Sequence, residues 1–123
     1  MKLHDVIDRV DEIKPNSVSM ELKIAWLNEI EGLLYTEILL KHEGEEREMP
    51  EYDMDTDPDT ELLVPTIYAD LYLFWIMSKI DLQNMELDKY NNDRTLFNNA
   101  YDTFSDYWTR THMPKTTVRE LRI

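Results

Sequence analysis

"IYADLYLFWIMSKIDLQNMELD", residues 67 to 88, decides the fold. At helical spacing Ile67, Leu71, Phe74, Leu82 and Met85 form one apolar stripe. Leu73, Ile76, Ile80 and Leu87 form a second, and Tyr68, Tyr72 and Trp75 a third. A helix apolar on one face lies at a surface, whereas one apolar almost all round is buried. This stretch, introduced by Pro65, is therefore read as the central helix of a bundle, or as a helix partly covered by another chain. The apolar run from 62 to 77 is broken by Asp70 and is too short to span a bilayer.

Outward from this centre the other elements follow. Val6, Ile7, Val10 and Ile13 predict a short helix over 3 to 13, ended by "KPN" at 14 to 16. A second helix starts after Ser17 or Ser19, either of which can cap free N–H groups, and runs to about Lys41. Its stripe of Met20, Ile24, Leu27, Ile30, Leu34 and Ile38, widened by Leu22, Trp26, Leu33 and Leu40, implies neighbours on two sides. After "YNND" at 90 to 93, a fourth helix over 93 to 112 carries Leu96, Phe97, Ala100, Tyr101, Phe104 and Trp108 on one face. The fold class is all-α: a small bundle of about four helices, with a domain over 1 to 114 and a tail over 115 to 123. No internal repeat is read.

The chain has 123 residues, enough for one core. Its formal charge of −13 repels DNA backbones and anionic lipid. Cysteine is absent, which excludes disulfides and thiolate chemistry. The charged start "MKLHDVIDRVDEIK" has no signal-peptide character, so a soluble protein made inside the cell is expected.

Much of the charge sits between the second and third helices. Residues 42 to 61 hold ten Asp or Glu against Arg47 alone, −9 of the total −13. So little apolar surface and so much self-repulsion predict a solvated loop. Asp53, Asp55, Asp57, Asp59 and Glu61 alternate as in a calcium loop, but a loop opening at Asp53 puts Pro58 where glycine is required and Val64 where a bidentate Glu is required. Opening at Asp55 places Thr60 and Thr66 there and fails equally. No His has a Glu three residues before it, no glycine-rich phosphate loop occurs, and no Ser or Cys nucleophile stands beside a His. The E-x-x-E spacings of the MazG-like pyrophosphohydrolases fall in the loop and lack a later E-x-x-D. No catalytic residue, metal ligand or cofactor is assigned, and the protein is read as not an enzyme. The aromatic side chains could stack bases, but the negative charge favours core and interface packing instead.

The tail "KTTVRELRI" has the opposite character. Lys115, Arg119 and Arg122 outnumber Glu120, and Val118, Leu121 and Ile123 supply apolar anchors. Interface residues are expected at Tyr68, Tyr72, Trp75, Lys115, Val118, Arg119, Leu121 and Ile123. The acids Asp53, Asp55, Asp57, Asp59 and Glu61 are expected to face a channel or the surface.

The motifs "LLVP" before a Tyr-rich helix, "KYNN" followed by "LFNNAY", and "RTHMP" at a helix end mark 62 to 114. With "VIDRVDEIKPN" and "LKIAWLNEIEGLLYTEI" upstream, the chain resembles the small head–tail connector (neck adaptor) proteins of tailed phages and prophages of Gram-positive bacteria. That resemblance implies a structural homo-oligomer, a twelvefold ring beneath the portal protein that also meets other neck or tail-completion proteins. DNA would pass through it only as cargo, and no membrane would be involved. It implies assembly in the bacterial host cytoplasm and residence in the virion neck. A small acidic regulator or DNA mimic is the alternative, on the strength of the charge.

Overall fold

The computed structural model describes residues 1–42 and 47–114. Among these lie four α-helices: α1 (Leu3–Ile13), α2 (Met20–Glu37), α3 (Asp70–Gln83) and α4 (Leu87–Thr111). Single 3-10 turns occur at Leu39–Lys41 and Thr66–Tyr68. The described residues hold no strand, only two isolated bridges, Lys2 with Glu61 and His42 with Pro114. The fold is a small all-α bundle.

α3 touches each of the other three helices. Nine of its fourteen residues are buried, and they point in every direction around its axis. α1 and α2 cover part of it, α4 packs most extensively along it, and the buried Leu62, Leu63 and Val64 join the same core. Of the two sequence expectations, central helix or helix capped by another chain, the first is met within the chain.

Local chemistry sets the boundaries. Ser19 is the cap of α2, its hydroxyl accepting from the Leu22 N–H at 3.2 Å. α2 stops at Glu37, short of Lys41, and finishes in the 3-10 turn, whose backbone the His42 ring meets at the Ile38 carbonyl, 2.6 Å away. α4 begins at Leu87, six residues before the expected start. "YNND" does not break it: Asn91 and Asn92 face water, and Asp93 turns inward to charged partners. Asparagine inside a helix costs only a few tenths of a kcal/mol, about 0.7 at most, which the packing of α4 on α3 overrides.

The α3–α4 connection is a Schellman turn. The Glu86 N–H donates to the Asp81 carbonyl at 2.9 Å and the Met85 N–H to the Leu82 carbonyl at 3.1 Å. Met85 holds the left-handed position, φ 58°, where glycine is favoured, and its side chain is 76% exposed. Little packing offsets that strain. Met85→Gly should therefore raise stability by about 1 kcal/mol in urea unfolding; a loss instead would show that the Met85 side chain packs more than its exposure implies.

Candidate functional site

The acidic connection is ordered where the structure describes it. Its alternating acids build two consecutive turns of the same design, "DMDT" at 53 to 56 and "DPDT" at 57 to 60. In each, the first Asp carboxylate accepts from the N–H two residues on, Asp55 or Asp59, at 2.9 Å. Its carbonyl then accepts from the Thr N–H, at 3.2 Å for Thr56 and 3.0 Å for Thr60. These are Asx-turns, the local use of Asp that competes with regular structure. The tandem unit is a short repeat that the sequence reading did not detect. Asp53, Asp55, Asp57, Asp59 and Glu61 are all exposed. The loop is thus acidic and wetted, as expected, but its backbone is tied down.

Two anchors hold it. At the N-terminus of α1, the Leu3 N–H donates to the Thr60 carbonyl at 2.9 Å and the His4 N–H to the Pro58 carbonyl at 3.1 Å. The connection thereby satisfies donors that a helix start leaves open. The His4 ring lies among Asp5, Asp8 and Asp59, with Nε2 3.2 Å from Asp59, and the hydrogen bond to Asp8 leads the causes that raise its pKa.

On α2, Asn28 pairs with the Tyr52 backbone in both directions, at 2.8 Å each way. One turn further on, Glu31 is fully buried and accepts from three donors: the Tyr52 hydroxyl at 2.7 Å, the Leu63 N–H at 3.1 Å, and the Tyr72 hydroxyl. Tyr72 in turn accepts from the Val64 N–H at 3.0 Å. Burial pushes the Glu31 pKa up, opposed by the two tyrosines, the Leu63 N–H and the nearby Arg47. The same burial, with the carboxylate beside them, raises both tyrosine hydroxyls. This knot fixes segments 52 and 62–64 against α2 and α3, with Glu31 itself fully buried.

A second charged cluster joins α1, α3 and α4. Lys14 bonds Asp81 and lies 3.6 Å from Asp93. Asp81 is completely buried, and its second oxygen, Oδ2, has no donor. One ammonium here faces two carboxylates, Asp81 fully buried and Asp93 partly exposed. Burial, then the hydrogen bond and charge of Asp81, raise Asp93 to about 6. Below about pH 6, where Asp93 is protonated, its hydroxyl is a donor for Asp81. Nearby, the buried Lys23 meets Asp11 at 2.6 Å, and Asn16 also donates to Asp11 at 3.0 Å.

The expected interface aromatics are mostly spent inside the chain. Tyr72 and Trp75 are buried, one bonding Glu31 and the other donating from its indole N–H to the Trp26 carbonyl at 2.9 Å. They are core residues, because α3 is central. Tyr68 is half-buried against Tyr107, ring centroids 4.7 Å apart. Lys115, Val118, Arg119, Leu121 and Ile123 lie outside the described residues. Among the described residues no three His, Asp or Glu side chains are grouped as a metal would need, and no helix is long and apolar enough to cross a membrane.

The surface does carry a cleft, about 210 Å³, between the start of α1, the start of α2 and the acidic turns. Leu3, Ile7 and Ile24 line it, with Met20 and Met54 at its mouth. A shallower groove continues from it past Glu21, Asn28 and Asp55, sharing Ile24, Asp53 and Met54. Glu31, Asn28, Asp81 and Asp93 were not singled out from sequence. The usable signal was a charge inside an apolar stripe, Glu31 beside Leu27, Ile30 and Leu34, and Asp81 within α3. Compared with protein-family models, with curated proteins and with solved structures, the chain finds no match in any of the three.

Two outcomes are expected. Glu31→Ala leaves three buried donors unpaired and should cost about 3 kcal/mol or more in chemical unfolding, with Tyr72→Phe costing about 2. If both variants unfold like the parent, the knot has no energetic weight. Asp93→Asn mimics the protonated acid. Because the folded pKa of Asp93 is raised, the native state binds the extra proton, so the pair's contribution falls as pH climbs from about 4 to about 6 and beyond. The variant should melt like the parent near pH 4 and at a higher temperature near pH 7; equal melting at both would remove the shared proton.

Proposed function

We propose that this chain is a structural head–tail connector of a tailed phage or prophage, forming a ring below the portal that lengthens the DNA channel and joins head to tail. The observation that carries the reading is where the resembling motifs lie in the fold. "LLVP" supplies Leu62, Leu63 and Val64, the buried strip over Glu31. "LFNNAY" supplies Phe97, packed on Trp75 with ring centroids 5.0 Å apart, beside Tyr101. "RTHMP" ends α4, with His112 stacked on Trp108 at 3.6 Å and Pro114 bridged to His42. Part of each of these three motifs thus packs in the bundle, which supports a family defined by architecture, while "KYNN" lies on the outer face of α4.

Physical chemistry is compatible with that role. Exposed acids in fixed turns present a surface to which DNA does not stick, which suits a conduit whose cargo must slide. The same acids support the second reading, a small acidic regulator or DNA mimic, since hydrogen-bonded turns hold them in place.

Quantitative mass spectrometry of particles purified from an induced lysate, comparing this chain with the portal protein, tests the first reading against the second. The connector predicts a near-equimolar ratio. Absence from intact particles would overturn it and favour the regulator.

A further inference from the structure

We infer that the cleft and groove between α1, α2 and the acidic turns receive the basic tail, residues 115–123, of a second copy of this chain. The inference goes beyond the connector reading and does not depend on it.

The surface has two complementary properties. Its floor is apolar: Leu3, Ile7 and Ile24, with Met20 and Met54 exposed at the opening by 42% and 59%. Its volume of about 210 Å³ is several times the roughly 30 Å³ that one water occupies in the liquid, so it has room for an aliphatic side chain. Its rim is acidic. Asp8, Glu21, Asp53 and Asp55 surround it, and among the described residues His4 is the only basic side chain in its lining. An occupant should therefore combine aliphatic anchors with positive charge.

The tail has that composition, with Val118 and Leu121 as anchors and Lys115, Arg119 and Arg122 as cations. Strong charge complementarity of this kind steers encounter and fixes register. The rest of the chain is acidic, so no other segment offers the match: the body without the tail carries nearly all the negative charge.

Geometry separates a neighbour's tail from the chain's own. Pro114 is bridged to His42, just past the C-terminal end of α2, while the cleft lies at the N-terminal end of that helix, at Met20 and Ile24. From Ile24 to Glu37 the helix rises roughly 20 Å at 1.5 Å per residue. Four residues carry Val118 at most about 14 Å from Pro114, and seven carry Leu121 about 25 Å. Val118 falls short of its own cleft, and Leu121 arrives only if the chain is drawn straight. Within one copy the tail must be drawn nearly straight to set Val118 in the groove beside Asn28 and Leu121 in the cleft, whereas a neighbour's tail is under no such constraint and loses less freedom on seating. Such a contact is head-to-tail, the kind that closes into rings or continues as filaments.

The test uses the full chain with a photo-crosslinking amino acid in place of Leu121, mixed in equal amounts as natural and heavy-isotope copies. The inference predicts cross-links to the Met20 or Met54 region, a large share of them joining a heavy to a natural copy. Raising the salt should reduce them severalfold, since the rim charges are exposed. Glu21→Lys with Asp55→Lys should reduce them at least about tenfold, and adding Arg119→Glu with Arg122→Glu to the same chain should restore them. Met54→Arg, at an exposed position, is the second block should the reversed rim fail to fold. Cross-links confined to one isotope, cross-links to another surface, or indifference to both the charge reversal and Met54→Arg would each overturn the inference.

Discussion

A carboxylate with no access to water organises this molecule. Glu31 sits on α2 with donors arriving from the acidic connection, from the strip before α3 and from α3 itself. A buried charge left unpaired would cost several kcal/mol, so each of the three segments must be in place for the others to be tolerable. Without its bonds to α2 the connection, a self-repelling length of acids, would be held only at the start of α1. Glu31 and Asn28 turn it into a folded layer against α2, and the cleft exists because that layer stands beside α1.

Charge does comparable work at the opposite end of the bundle. Lys14, at the end of α1, lies against Asp81 of α3 and Asp93 of α4, and Lys23 of α2 reaches Asp11 of α1. α1 buries only one face, through Leu3, Val6, Ile7 and Val10, and these ionic bonds lie at its C-terminal end. Buried ion pairs are weak contributors to net stability, because desolvation consumes most of the attraction, and the partly exposed pairs here are no exception.

Much of the architecture was readable from periodicity. The bounds of α1 agree with the structure, and the all-round apolarity in the first turns of the helix expected over 67 to 88 marked α3 as central, because burial on every side removes the polar face that a surface helix needs. The helix itself covers only Asp70–Gln83, with Ile67 exposed ahead of it, Met85 in the following turn and Leu87 at the start of α4. The start of α4 was misjudged, since "YNND" reads as a break only if its side chains turn back to cap the backbone; Asp93 spends its carboxylate on Lys14 instead. Tyr72 and Trp75 looked like surface aromatics because their stripe contains Tyr hydroxyls and an indole N–H. Their polar ends are satisfied internally, by Glu31 and by the Trp26 carbonyl, which no local pattern discloses. The knot itself depends on residues 21 to 41 positions apart, beyond any window of periodicity.

The first helix has no complete beginning of its own: its opening N–H groups are closed by carbonyls of residues 58 and 60. During synthesis at about 5 to 20 residues per second, those carbonyls are made roughly 3 to 12 seconds after Leu3. For that interval the apolar face of α1 has neither its cap nor α3 to lie on. α1 is therefore secured only once the segments that close and cover it have been made, and until then its apolar face is open to whatever binds bare helices in the cell.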